Sequence, residues 1–332
     1  MVKIAINGFG RIGRSFFRAA FAAKSAEASA KAEGFDIVAV NDLADEKTLL
    51  YLLKYDSVYG RYLKEPKGVR FFAEKEPAKL PWKKLGIDIV IESSGFFTDG
   101  EKAKAHLEAG AKRVVITAPA NGDVMTALVG VNDDLFKKPH PITCNASCTT
   151  NSVAPVLKIL LENFGIKKAV MTTVHGYTAS QKLVDGPDEK DVRRGRAAAV
   201  NIVPSTTGAA EAVIDAIPEL EGKFQAESIR VPTITGSLSI TSALVEKKTS
   251  VKEVNEVFKK AAKDSRWAKV LKVTEDPIVS SDIVGEPYGA IVDLGLTQVL
   301  DGDLVKVFSW YDNESGYTAT LVEHVRRVAE SL

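Results

Sequence analysis

The sequence predicts an α/β protein, in which a doubly wound parallel sheet is followed by a second, α+β domain with a mostly antiparallel sheet. Three observations carry this. Short apolar runs alternate with helical stretches through the first half of the chain. The first of these runs ends in a glycine-rich turn, Asn7-Gly8-Phe9-Gly10-Arg11-Ile12-Gly13. Beyond Cys148 the texture changes to extended runs of alternating polarity.

Val2 to Ile6 is short, apolar and strand-like. Gly8, Gly10 and Gly13 match G-x-G-x-x-G between a strand and a helix, where glycines permit a tight turn and let a pyrophosphate approach a helix N-terminus. An Ala-rich helix follows, and the Ala, Lys and Glu of Ala22 to Glu33 extend it as far as Gly34. The next strand, Ile37 to Asp42, ends in an acid suited to an adenosine ribose. Asp42 lies further from Gly13 than the usual ~20 residues, and the longer helix accounts for the excess. Ile87 to Glu92 and Arg113 to Thr117 read as further strands flanking a helix from Asp99 to Ala109. The unbroken apolar character of Ile87, Ile89, Val90 and Ile91 suits a strand covered on both faces. This half reads as a Rossmann-type sheet.

In the second half, an apolar helix from Val153 to Phe164 contains Pro155, which predicts a kink or an irregular first turn. Lys168 to His175 alternates Val170, Thr172 and Val174 against Met171, Thr173 and His175. Ser228 to Val231, Ser237 to Val245, Ala290 to Leu294 and Leu304 to Trp310 are further strands. Thr206-Thr207-Gly208 opens a helix over Ala209 to Ala216, and Ser250 with Glu253 caps one through Ala262. The closing stretch, Gly316 to Leu332, is amphipathic, with Leu321, Val325 and Val328 on one stripe.

A chain of 332 residues suits two domains. Lys plus Arg total 44 against 43 for Asp plus Glu, so no basic field points to nucleic acid and small molecules are the expected partners. No run approaches the ~18 apolar residues of a membrane span, and the amino terminus enters a strand with no leader. These features predict a soluble, cytoplasmic protein without membrane association. Two cysteines give no disulfide framework, and no metal site is expected.

Chemistry concentrates at Asn145-Ala146-Ser147-Cys148-Thr149-Thr150-Asn151. A free Cys is more often a small buried hydrophobe, but hydroxyls and amides around it would need partners in a core. At the start of a helix, the macrodipole and unpaired N–H groups favour thiolate, which makes Cys148 a nucleophile. His175, at the end of its strand, suits an ion-pair partner and an acid or base. His106, His140 and His324 receive no role. Thr206 to Gly208 forms either an anion site or an N-cap. Arg230, on a half-buried strand, needs an anion from the protein or a ligand.

The glycine turn, the cysteine run, Arg230-Val231-Pro232-Thr233 and Trp310-Tyr311-Asp312-Asn313-Glu314 together resemble the phosphorylating glyceraldehyde-3-phosphate dehydrogenase family, in its order along nearly the whole chain. The resemblance implies oxidation of glyceraldehyde 3-phosphate to 1,3-bisphosphoglycerate in glycolysis and gluconeogenesis. Cys148 would form a thiohemiacetal and His175 would be the base; hydride transfer to NAD would leave a thioester for inorganic phosphate to attack. It places the substrate phosphate at Thr178 and Arg230, and inorganic phosphate at Ser147, Thr149, Thr207 and Gly208. Cofactor contacts fall on Gly8, Gly10, Arg11, Ile12, Gly13, Asp42, Lys75, Thr117, Asn313 and Tyr317, with Asn313 on the nicotinamide carboxamide.

The implied division is a dinucleotide-binding domain over 1–147, completed by 313–332, and a catalytic domain over 148–312. The family's homotetramer would use the loop from Ser180 to Val200, and Gly186-Pro187 resembles its NAD-dependent forms. Four departures stand out: Ser152 replaces a frequent second cysteine, Ser93-Ser94-Gly95-Phe96-Phe97 is altered, the first helix is longer, and Gly60 to Glu76 is shorter. The nearest alternative is an erythrose-4-phosphate dehydrogenase, which needs a weaker phosphate site. A non-catalytic nucleotide-binding scaffold would carry a lesion at Cys148 or His175, and neither is present.

Overall fold

A computed structural model describes residues 1–23, 34–189 and 191–332. The extension of the first helix expected over Ala22 to Glu33 falls, from residue 24 on, outside the described residues. The chain forms two compact units: Met1–Leu128 with Asn132–Ala146 and Leu321–Leu332, and Val129–Val131 with Ser147–Thr320.

The first unit contains, in chain order, β1 (Val2–Asn7), α1 (Arg11–Ala23), β2 (Phe35–Asn41), α2 (Glu46–Lys54), the short pair β3 (Tyr55–Asp56) and β4 (Gly60–Arg61), and β5 (Arg70–Phe72). Then come α3 (Trp82–Leu85), β6 (Ile89–Glu92), α4 (Gly100–Glu108), β7 (Arg113–Ile116), β8 (Met125–Thr126) and β9 (Ile142–Cys144). Seven strands form a parallel sheet in the order β5-β2-β1-β6-β7-β9-β8. From β1 the chain moves outward through β2 and β5, then returns to the other side of β1 at β6. That reversal opens a crevice at the carboxyl ends of the strands, the usual ligand position in such sheets. Both faces are covered as the apolar runs predict, and Ile4, Ile6, Ile89, Val90 and Ile91 are fully buried.

The second unit contains α5 (Cys148–Phe164), β10 (Lys168–Gly176), β11 (Val203–Ser205), α6 (Ala209–Ala216), β12 (Phe224–Val231), β13 (Ser237–Leu244), α7 (Val251–Ala261), β14 (Leu271–Thr274), β15 (Ala290–Leu300) and β16 (Leu304–Tyr311). Its sheet runs β11-β12-β10-β13-β16-β15-β14. It is mixed: β10 with β12 and β14 with β15 are parallel, and the other pairs are antiparallel. Ala169, Met171, Thr173 and His175 on β10 are buried, as the alternation predicts. The last helix, α8 (Ser315–Glu330), continues from this unit into the first and buries Leu321, Val325 and Val328. α5 runs unbroken through the buried Pro155, whose ring adds apolar surface to the core where a backbone hydrogen bond is lost.

Candidate active site

In the first unit the crevice is built mainly from backbone. Gly8 follows β1 at φ 91°, and a Cβ there would lie 2.4 Å from the Ser94 backbone nitrogen. A Cβ on Gly13 would lie 2.2 Å from the Gly8 carbonyl oxygen. Both glycines are therefore required by the protein itself. At Gly10 a Cβ would meet no atom within 4 Å, so its bareness faces open space. Gly8, Gly10, Asp42, Lys75, Ser94 and Phe96 line a cavity of about 420 Å³.

The Asp42 carboxylate accepts hydrogen bonds from the Phe9 N–H at 2.7 Å and the Ala44 N–H at 3.0 Å, which ties the end of β2 to the glycine turn. Arg11 and Ile12 open α1, and the Arg11 guanidinium pairs with Asp56 at 2.6 Å. Thr117 follows β7 and donates its hydroxyl to the Glu92 carbonyl.

Behind this cavity lies a buried chain of polar groups. Trp82 Nε1–H donates to His106 Nδ1 at 3.1 Å, which leaves the proton on Nε2 to donate to Glu92 at 2.9 Å. Glu92 also accepts from Asn7 Nδ2 at 2.6 Å and from the backbone N–H and hydroxyl of Ser94. Asn41 then donates to the Asn7 amide oxygen. Sequence reasoning gave His106 no part, because its partners lie on other elements.

In the second unit the site is built from side chains. Ala146 holds φ 49°, an uncommon value for a residue with a Cβ, and turns the chain just ahead of the helix. Ser147 caps α5 by accepting from the Thr150 N–H at 3.0 Å. Cys148 is the first residue of that helix, and its Sγ lies 3.4 Å from His175 Nε2. The Tyr311 ring meets the His175 ring edge-on, and the Tyr311 hydroxyl bonds to Thr149 at 2.9 Å and Thr173 at 2.8 Å. The Thr149 side chain is therefore turned inward.

Two influences compete at this pair: the helix-start N–H groups favour thiolate, as expected, and burial opposes it. Burial pushes the Cys148 thiol up; the Arg230 charge and the Thr149 hydroxyl and N–H act the other way without overcoming it. Burial and then Arg230 push His175 down to about 3. Burial thus opposes charge on both members of the pair, while Arg230 favours the thiolate and opposes the imidazolium.

The parallel register of β10 and β12 sets Arg230 beside His175. Arg230 Nη1 lies 2.6 Å from His175 Nδ1 and 3.3 Å from the Gly176 carbonyl oxygen. Among the described residues no carboxylate pairs with it, which leaves the anion that a half-buried guanidinium requires to come from a ligand. A second cation, Arg194, acts on Arg230 through space and donates to Ser180, whose hydroxyl bonds to Thr178. The sequence reading did not find Arg194, since it lies in a segment with no regular pattern. Thr207 accepts from the Ala209 N–H, and the exposed Gly208 N-caps α6.

Asn313 is oriented by three donors on its amide oxygen: Thr235 Oγ1, the Gly236 N–H and Ser237 Oγ. Its Nδ2–H groups are therefore the ones left to face a ligand. Tyr317 is buried in the first turn of α8. Among the described residues no helix is long and apolar enough to cross a membrane, and no cluster of His, Cys, Asp and Glu could hold a metal ion.

A parallel sheet with a glycine-lined crevice, and a helix-initiating cysteine backed by histidine and arginine, define a dinucleotide-binding enzyme with a cysteine nucleophile. Residues 2–100 match the glyceraldehyde 3-phosphate dehydrogenase NAD binding domain, and residues 147–313 match the C-terminal domain of the same enzyme. The chain is 48% identical to the glyceraldehyde-3-phosphate dehydrogenase of Mycobacterium avium, covering 100% of this chain and 99% of that protein. The Thermotoga maritima protein of the same name is 49% identical over 97% of this chain and 98% of its own. This chain belongs to the glyceraldehyde-3-phosphate dehydrogenase family, whose members are NAD-dependent oxidoreductases.

Proposed function

We propose that this protein oxidises glyceraldehyde 3-phosphate with NAD and inorganic phosphate to 1,3-bisphosphoglycerate, with Cys148 as nucleophile and His175 as base. The observation that carries the reading is the 3.4 Å approach of His175 Nε2 to Cys148 Sγ beside an arginine that has no carboxylate partner among the described residues. His175 takes the thiol proton as sulfur attacks the aldehyde carbon, and N–H groups at the start of α5 face the developing oxyanion. His175 returns that proton to the oxyanion, which gives the hemiacetal hydroxyl, and takes it back as the hydride departs. When bound, NAD supplies the hydride acceptor. The acyl group stays on Cys148 as a thioester, and phosphate expels the thiolate, a good leaving group.

Arg230 and Thr178, with Arg194 nearby, suit the substrate phosphate. Ser147, Thr207, Gly208 and the N–H of Thr149 suit the attacking phosphate. The NAD fit rests on the turn that Gly8 and Gly13 make possible and on the open space at Gly10, with Arg11 and Ile12 at the helix start. Asp42 sits where a ribose would meet it, with Lys75 on the cavity wall and Thr117 at the end of β7. Asn313 Nδ2 is left to donate to a carboxamide, with Tyr317 beside it in sequence.

The functional division follows 1–147 with 313–332 for NAD and 148–312 for chemistry. Exposed Leu183, Val184, Val192, Val200 and Ile202 supply apolar surface suited to a homotetramer contact. Balanced charge and small-molecule chemistry fit a cytoplasmic enzyme. The test is NADH formation from glyceraldehyde 3-phosphate and from erythrose 4-phosphate, each with and without phosphate. Phosphate-dependent turnover of the three-carbon substrate is expected. A preference for the four-carbon sugar without phosphate dependence would overturn the reading.

A further inference from the structure

Ser237 opens β13 and lies between the end of the strand that carries His175 and the side chain of Asn313. The antiparallel register of β10 and β13 brings these two strand ends together. The Ser237 hydroxyl accepts the Gly176 N–H at 3.2 Å, and its oxygen lies 3.0 Å from Asn313 Oδ1. All three residues are buried. A backbone N–H can only donate, so the Ser237 oxygen accepts from Gly176 and its single proton goes to Asn313.

The direction of this bond fixes the Asn313 amide. The Gly236 N–H also donates to Oδ1, at 3.2 Å; a reversed amide would set two N–H groups against each other there. Thr235 is the weaker hydroxyl for the same task. Its Oγ1 lies 2.9 Å from Asp312 and 3.3 Å from Asn313 Oδ1, so its one proton is committed mainly to the nearer acceptor, a carboxylate. With Oδ1 held inward by Ser237 and Gly236, Nδ2 is turned outward, and it has no acceptor among the described residues.

We propose that Ser237 is a positioning residue for the nicotinamide: through Asn313 it presents an N–H donor, which selects an acceptor oxygen on the carboxamide. The proposal rests on the reading that Asn313 meets that carboxamide. Its consequence is that the carboxamide oxygen matters at this contact and the carboxamide nitrogen does not. Loss of the Ser237 hydroxyl leaves the Asn313 amide with one backbone donor and removes the acceptor of the Gly176 N–H.

The test is equilibrium titration of the full-length protein with NAD and with ADP-ribose, which lacks the nicotinamide. Ser237→Ala is expected to raise the Kd for NAD roughly tenfold, the scale of one hydrogen bond, and to leave that for ADP-ribose within about twofold. Ser237→Cys, close in size but a weak donor, should fall between wild type and Ser237→Ala. Equal losses for the two ligands would overturn the proposal, because a merely structural defect harms both. So would unchanged NAD binding.

A measurement on the unmutated protein covers the case in which the variants do not fold. The NAD analogue with 3-acetylpyridine in place of nicotinamide keeps the carbonyl oxygen and lacks the amide N–H groups. Its Kd should stay within about threefold of that for NAD, and a larger loss overturns the proposal, since Asn313 would then be presenting Oδ1. Failure of the broader reading is separate: Asn313→Ala would then leave NAD binding unchanged. A loss in Asn313→Ala without one in Ser237→Ala removes the role of Ser237 alone.

Discussion

The two units build their sites in opposite ways. The nucleotide-binding unit leaves side chains out: Gly8 and Gly13 permit backbone contacts that a Cβ would block, and Gly10 keeps the mouth of the crevice bare. The catalytic unit brings side chains together from α5, β10, β12 and β16, and each is oriented by another. A site of the first kind should fail through sterics and affinity. One of the second kind should fail through rate, and substitutions can separate the two.

The largest effect is expected at the nucleophile. Cys148→Ser should abolish turnover while NAD titration still reports binding, because an alcohol cannot form the reactive anion near neutral pH. Cys144, buried against Thr126 in the first unit, should tolerate Ser with activity retained. If both variants are equally dead in stopped-flow hydride transfer, a single nucleophile is the wrong assignment.

His175→Asn should cost roughly 100-fold to 10,000-fold in turnover, the scale of a general base, with the melting temperature little changed. An undiminished rate would remove the pair from the chemistry.

In the other unit the contrast lies within one motif. Gly8→Ala should destabilise the protein by about 1–3 kcal/mol, from the left-handed backbone and the clash with Ser94. Gly10→Ala should leave stability nearly unchanged but weaken NAD binding. Equal melting temperatures for the two variants would break the distinction between glycines that the fold needs and one that the ligand needs.

Acid stability depends on a buried imidazole in each unit. His324 donates from Nδ1 to the Ala127 carbonyl and accepts at Nε2 from Thr143, and burial pushes it down to about 4. Above the unfolded value of about 6.5 both states are neutral and nothing is gained or lost. Below it, the unfolded chain takes up a proton that the folded chain refuses, so stability falls from about pH 6.5 toward 4, by an amount on the order of 3 kcal/mol for this residue. His175 acts in the same direction. Denaturant midpoints that hold constant over that range would contradict the neutral burial of both.

The smallest effect is expected in cofactor choice. The Asp42 carboxylate should repel the extra phosphate of NADP, so NAD is preferred. Because Asp42 also receives the Phe9 and Ala44 N–H groups, Asp42→Asn is the cleaner probe and should narrow the preference by about tenfold, one charge contact in partly screened surroundings. A wild-type enzyme that favours NADP would detach Asp42 from the ribose.

Much of the nucleotide-binding unit was legible in sequence. A strand, a glycine turn, a helix and an acid follow one another along the chain, and their spacing is the geometry. Cys148 was legible for the same reason, since a helix start is a local feature. Tyr311, Arg194, the Thr235-to-Ser237 cradle of Asn313, and the His106–Glu92 pair were not. Each acts on a residue far away in sequence through a contact that no period marks. Local reasoning captures the helix-start N–H groups that favour thiolate at Cys148, but not the burial and the Arg230 charge, which the tertiary structure sets.

By itself, then, the sequence determined what short-range physics controls: the alternation of strands and helices, the glycines at a phosphate-binding turn, the acid after β2 and the cysteine at a helix start. Only tertiary structure decided which distant groups meet. The parallel register of β10 and β12 sets His175 against Arg230, and the antiparallel register of β13 and β16 sets Ser237 opposite Tyr311. Such registers arise from burial and hydrogen bonding summed over whole strands, so no local pattern records which residue will face which.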